Sequence, residues 1–365
     1  MAVRPPGAFN SCADKDNDRL VSTSQSNRTI EEMKNYKVYG IGAALVDTEI
    51  KVDDADLAAM NVEKGLMTLV DEDRLKELLG HLDGHLVKAT HASGGSGGNT
   101  IIATALFGGP TFMSCKVAND ADGDIYLADL KSAGVEHSMN GEREHGITGK
   151  CLVLITPDAE RSMNSYLAIN DTLSVDQLDA EAIAASEWVY IEGYRVTSDT
   201  SREAAIRTRE IAEETGVKTA LSFSDPGMVE FFRDGMEQMV GEKLDLLFCN
   251  EAEAKGWSQT DDLDLAVERL KETAHSFAIT LGAEGALVFD GTELTPIPPH
   301  QVHALDSNGA GDMFAGAFLY AITRGEDFPT AGRFASLAAG TIVANYGPRL
   351  APQEYSALRA EFFGD

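Results

Sequence analysis

The chain has 365 residues, enough for one large α/β domain with a small appendage. Its 43% apolar and 24% charged residues suit a globular protein with a substantial core. With 59 acidic against 30 basic side chains the formal charge is −29, and so acidic a surface repels nucleic acid and anionic membranes; neither is expected as a partner.

Residues 1 to about 33 are polar, rich in Ser, Asn and Asp, and aperiodic, so 1–35 is expected to be a disordered tail ahead of a folded domain over 36–365. From there short apolar runs alternate with longer amphipathic ones. Strands are expected over 37–42, 111–117, 188–192, 218–223, 244–249, 276–281 and 286–289, and helices over 100–107, 125–133, 202–215 and 263–273. That alternation predicts an α/β fold: a mostly parallel central sheet with helices on both faces. The regions 48–54 and 146–167 break the rhythm and read as exposed strands of a small sheet acting as a lid.

Cys12, Cys115, Cys151 and Cys249 stand far apart with no CxxC pair, which indicates neither a disulfide framework nor a zinc site. His81 and His85 have i,i+4 spacing, but Gly80 and Gly84 weaken a helix there and no third ligand is evident. No stretch is apolar and long enough to span a bilayer and no signal peptide is recognisable, so the expected location is the cytoplasm.

Several segments carry chemistry. Gly40-Ile41-Gly42 follows the first strand, but Leu45 replaces the third glycine of a dinucleotide fingerprint and the continuation is β-like. Asp47 beyond it can accept two hydrogen bonds from a vicinal diol, or serve as a turn acid. Gly94-Gly95-Ser96-Gly97-Gly98-Asn99 precedes a helix; its glycines permit close approach of a ligand and Asn99 suits a sugar hydroxyl, the alternative being a linker with Asn99 as N-cap. Asn250-Glu251-Ala252-Glu253 ends a strand, and Glu253 can either reach Mg²⁺ through water or be an ordinary first-turn acid. Between two later strands, Thr280, Gly282 and Gly285 fit a hairpin turn.

The most telling segment is Asp306-Ser307-Asn308-Gly309-Ala310-Gly311-Asp312, into which a short strand is expected to break and after which a small, apolar helix follows. The free N–H groups of such a turn and the helix dipole make an anion site. A carboxylate at 312 would repel a phosphate, but it makes sense as the base that takes a proton from an attacking hydroxyl. The alternative is a tight turn with Asp312 as an N-terminal acid.

Taken in order, these segments resemble the ribokinase-like (PfkB) family of carbohydrate and nucleoside kinases over about residues 36–349, joined by Thr148-Gly149-Lys150-Cys151 leading to Arg161-Ser162, and by Tyr190-Ile191-Glu192-Gly193-Tyr194. Within the family the motifs are most similar to those of adenosine kinases. The resemblance implies an ATP- and Mg²⁺-dependent kinase acting on the primary hydroxyl of a nucleoside, adenosine first, or of a sugar such as ribose or fructose. A sensor that binds the same molecules without catalysis would not need a base at Asp312. The resemblance also implies roles. Asp312 is the general base, with Gly309, Ala310 and Gly311 around the transferring phosphoryl. Asp47, Gly95, Ser96 and Asn99 hold the acceptor, and Arg161 approaches the phosphates. Asn250 and Glu253 belong to the magnesium network, and Thr280, Gly282 and Gly285 to the ATP site. Asp306 orders a monovalent cation such as K⁺, and the chain is expected as a monomer or homodimer. Two positions depart from the pattern: Arg195 and Gly227 stand where aromatics are common.

Overall fold

Apolar runs without polar alternation are stable as strands only when both faces are covered. The computed structural model describes Met1 and residues 35–82, 90–158 and 160–365, so the expected tail, Cys12 and His85 lie outside the described residues. Its strands, in chain order, are β1 (Tyr36–Ile41), β2 (Leu45–Lys51), β3 (Met67–Leu69), β4 (Thr90–Gly94), β5 (Thr111–Ser114), β6 (Glu136–His137), β7 (Gly149–Ile155), β8 (Arg161–Tyr166), β9 (Ser186–Glu192), β10 (Lys218–Ser222), β11 (Leu244–Asn250), β12 (Ala274–Thr280), β13 (Ala286–Phe289) and β14 (Leu294–Ile297).

Nine strands form the main sheet in the order β14-β13-β12-β11-β10-β9-β1-β5-β6. All neighbours from β12 to β6 are parallel, and β13 and β14 close one edge antiparallel. Chain neighbours such as Tyr190 and Ile191, Leu246 and Leu247, or Ala278 and Ile279 enter opposite hydrophobic layers, which is why these strands read as continuous apolar runs. One layer packs helices Ser96–Phe107, Ala310–Thr323 and Phe328–Val343, the other helices Asp199–Thr215, Arg233–Val240, Glu251–Ser258 and Leu263–Thr273. From β1 the chain builds outward through β5 on one side and later through β9 on the other. Ligands in such sheets bind beyond the carboxyl ends of the strands at that reversal.

Two helices matter most for the site. Ser96–Phe107 and Ala310–Thr323 cross closely because Gly316 has no side chain: a Cβ there would come within 2.7 Å of both Ala103 Cβ and Thr100 O. The first helix starts at Ser96 rather than at Thr100, with Gly95 as its cap at φ 87°. Asn99 is therefore a buried first-turn residue and not the cap. The short strand expected before the anion turn does not form; the chain reaches the turn as irregular backbone.

The second sheet runs β3-β8-β7-β2-β4. One face packs Ile50, Leu57, Leu78, Leu152 and Leu154 against helices Asp54–Ala59 and Glu72–His81. Leu45, Cys151 and Met163 on the other face look into a cavity over the main sheet. The lid regions expected at 48–54 and 146–167 supply β2, β7 and β8, with β2 starting earlier, at Leu45. Cys115, Cys151 and Cys249 are buried free thiols, and no helix among the described residues is long and apolar enough to cross a membrane.

Candidate active site

A cavity of about 390 Å³ lies between the small sheet and the carboxyl ends of β1, β9, β10, β11 and β12. It brings together Asp47, Gly95, Ser96, Asn99, Arg161, Asn250, Glu253, Thr280, Gly309, Gly311 and Asp312, which 265 positions of sequence separate at the extremes. Gly282, Gly285 and Ala310 are not on its wall. Gly285 has a local reason to be glycine: at φ 94° its Cβ would meet Ile297 O at 2.1 Å.

Asp312 lies in the first turn of its helix, so its carboxyl group is held at the start of the helix axis. Ser96 Oγ donates to Oδ1 at 2.6 Å and Asn99 Nδ2 donates to Oδ2 at 2.9 Å. Burial pushes its pKa up to about 6, against those two bonds, which favour the charged form. Two residues expected to hold the acceptor thus also grip the expected base. Asn99 Oδ1 is buried with no hydrogen-bond partner.

Around Asp312 the turn exposes donors. Gly309 caps the helix at φ 71°, and a Cβ there would strike Pro348 O at 2.6 Å, so only glycine fits. Ala310 N–H is directed to Ser307 O at 3.3 Å, and Met313 N–H to Gly309 O at 2.8 Å. Among the described residues no protein acceptor meets the N–H groups of Gly309, Gly311 or Asp312. Unpaired donors at a helix N-terminus suit a phosphate.

Asp47 faces the same space. Gly94 leaves the room for it, since a Cβ there would fall 2.1 Å from Asp47 Oδ2. Burial, then the charge of Glu49, raises its pKa to about 7, and the charge of Asp312 adds to this. The two carboxyl groups are therefore near enough to sense each other. At the opposite end Glu253 forms a capping box with Asn250: Asn250 N and Nδ2 donate to its two oxygens at 3.0 and 2.7 Å, and burial raises its pKa to about 7. One buried, orientated carboxyl group fits Mg²⁺ held mainly by water and substrate phosphates; no cluster of three or more acidic, His or Cys ligands occurs among the described residues.

Asp306 opens the anion turn. It is fully buried and accepts from Asn308 N at 2.9 Å, from Gly347 N at 2.7 Å and from Arg161 Nη2. Arg161 Nη1 lies 3.5 Å from Glu49 Oε1, and Nε has no hydrogen-bond partner. Arg161 is thus moored to the anion turn.

Residues 67–354 match the pfkB family carbohydrate kinase. The chain belongs to that family. It is 31% identical to the adenosine kinase from Sinorhizobium meliloti, with a TM-score of 0.81 over 89% of this chain and 99% of that one. A probable sugar kinase from Rhizobium etli is 29% identical, with a TM-score of 0.81 and coverage of 90% and 99%. Adenosine kinase of Saccharomyces cerevisiae is 26% identical over 87% of this chain and 97% of its own. The protein is an ATP-dependent kinase that acts on a hydroxyl group, built on the ribokinase-like fold.

Sequence reasoning overlooked Glu192 as a site residue. It is fully buried at the end of β9 and accepts from Ala43 N at 2.7 Å, Gly97 N at 2.9 Å and Arg195 Nε at 2.9 Å. An acid ending an otherwise apolar strand was the available signal.

Proposed function

We propose that this PfkB kinase transfers the γ-phosphoryl group of ATP to the primary, ribose 5′ hydroxyl of a nucleoside, with adenosine as the first acceptor to test. The observation that carries this is the setting of Asp312. Its carboxyl group is fixed by Ser96 and Asn99 beside unpaired turn donors, with Asp47 across the cavity.

Asp47 and Asn99 hold the acceptor's hydroxyls and set the primary hydroxyl against Asp312, which takes its proton as the oxygen attacks phosphorus. The free N–H groups of Gly309 and Gly311, with the dipole of a 14-residue helix, hold charge on the phosphoryl oxygens. Asn250 and Glu253 would hold Mg²⁺, which when bound neutralises phosphate charge, and Thr280 would line the ATP end. Arg161 would approach the phosphates from the side of the small sheet. Closure of the small sheet would exclude water, a competing acceptor.

A sugar kinase of the same family is the second reading, favoured because Asp47 and Asn99, in the role proposed for them, would recognise a diol without reference to a base. An ADP-release screen of adenosine, inosine, ribose, fructose and their phosphates decides between them. ADP released with nucleosides supports the proposal; release with free sugars alone refutes it. Asp312→Asn should lower kcat by two to four orders of magnitude with little change in the KM for ATP, roughly the share of a positioned base. Turnover within tenfold of wild type would remove Asp312 from that role.

A further inference from the structure

Donors from three segments converge on one buried carboxyl group, that of Glu192 at the end of β9. Its Oε2 accepts from Ala43 N at 2.7 Å and from Arg195 Nε at 2.9 Å, and its Oε1 accepts from Gly97 N at 2.9 Å. Ala43 lies in the link between β1 and β2, the strand that carries Asp47. Gly97 lies in the first turn of helix Ser96–Phe107, between Ser96 and Asn99, which grip Asp312.

The two segments meet at this point. A Cβ on Gly42 would come within 2.9 Å of Gly97 Cα, so a glycine on each side lets the backbones touch. The helix has no side-chain cap of its own, and Glu192 supplies the missing acceptor from another strand, where the helix dipole favours negative charge. On the far side of the link, buried Asn170 accepts from Ala44 N at 2.8 Å and donates to Ala44 O at 2.7 Å. The chain entering β2 is thus gripped at two consecutive residues. A carboxylate suits the Glu192 position because both its oxygens accept and neither donates. An amide has one oxygen. In one orientation its NH₂ would face Gly97 N–H, in the other Ala43 N–H and Arg195, so one segment is released either way.

We propose that Glu192 is a positioning residue for the transfer: it locks the segment leading into Asp47 to the helix start that carries Ser96 and Asn99, and so sets where the acceptor is held relative to Asp312. This rests on the roles proposed above for Asp47 and Asp312 and is indifferent to the base that a nucleoside carries. Placement of this kind matters because an error of about 1 Å can cost about 10²-fold in rate.

The test is a double-mutant cycle on kcat/KM with Glu192→Gln, Asp47→Ala and the two together. The acceptor is adenosine, or ribose if the wild type releases ADP with free sugars alone; that outcome overturns only the nucleoside reading. Glu192→Gln should lower kcat/KM for the acceptor about ten- to a hundredfold, through both kcat and the acceptor KM, with the KM for ATP within about twofold of wild type. In the Asp47→Ala background the same change should cost less than about threefold, because the side chain that Glu192 places is gone. Equal factors in the two backgrounds mark a merely structural glutamate and overturn the proposal. An acceptor KM that Asp47→Ala leaves unchanged overturns the diol role and the proposal together. Glu192→Gln also leaves Arg195 as a buried unpaired cation, so a second variant, Glu192→Gln with Arg195→Met, removes both charges and spares the fold. It should show the same loss with the acceptor, and a kcat/KM within about twofold of wild type would refute the positioning role.

Discussion

Removing the Ser96 hydroxyl should shift the acid limb of the reaction to higher pH. In the folded protein Ser96 Oγ donates to Asp312 Oδ1 at 2.6 Å, a short bond to a charged acceptor. Such bonds are worth about 1.5–3 kcal/mol, and one pKa unit corresponds to about 1.4 kcal/mol, so Ser96→Ala should raise the Asp312 pKa by roughly 1–2 units. Starting from about 6, the carboxylate would titrate between about 7 and 8. The base works only when ionised, so its contribution is present above its pKa and disappears as pH falls through it. In the wild type about nine-tenths of the carboxylate is ionised at pH 7, against roughly a tenth to a half in the variant. kcat/KM for the acceptor, measured at saturating MgATP from pH 5 to 9.5, should therefore drop about two- to tenfold at pH 7 and return towards wild type above pH 9. Asp312→Asn should show no such limb. An acid limb in Ser96→Ala that stays put, or moves to lower pH, would refute the view that this hydrogen bond tunes a catalytic carboxylate.

Asp47→Asn should raise the acceptor KM about tenfold or more, the weight of one charge-assisted hydrogen bond, without altering the KM for ATP; an unchanged acceptor KM would exclude the diol role. The same variant should melt higher than wild type at pH 8. Asp47 has its pKa raised to about 7, so its folded-state stability is lost as pH rises through that value, and Asn abolishes the cost of the buried charge. Asp306→Asn leaves the buried Arg161 guanidinium beside only Glu49 and should destabilise the fold by about 3–5 kcal/mol in denaturant titrations, as breaking a buried pair does. A loss below about 1 kcal/mol would show that Arg161 relaxes into water instead.

The parallel strands were legible because each is buried on both faces and so reads as an apolar block: 244–249, 276–281 and 286–289 lie within a residue or two of the observed strands. The small sheet was harder to read. Met67–Leu69 has only three residues, and Thr90–Gly94, with its Ser and Gly, has little intrinsic preference for a strand; its pairing with β2 makes it one. The start of the Ser96–Phe107 helix was misplaced because Gly97 and Gly98 are poor helix formers. They are kept for closeness: a Cβ on Gly97 would sit 3.0 Å from Gly42 Cα, and one on Gly98 2.5 Å from the Tyr126 hydroxyl. The cavity residues were picked out by local chemistry, most of them at a strand end or a helix start, with Asp47 inside β2 the exception. What local pattern could not reveal was who holds whom. Arg161 meets Asp306 across 145 positions, and Glu192 meets Ala43 across 149. Those pairings are decided by the packed sheet and leave no periodic trace in the chain.

The pairing of Ser96 with Asp312 across 216 positions also has a consequence for how the protein is made. A ribosome delivers Asp47, Ser96 and Asn99 early, and the phosphate-gripping turn only in the closing stretch of synthesis. A half-made chain would therefore carry the residues proposed to hold an alcohol without the turn proposed to hold the phosphate.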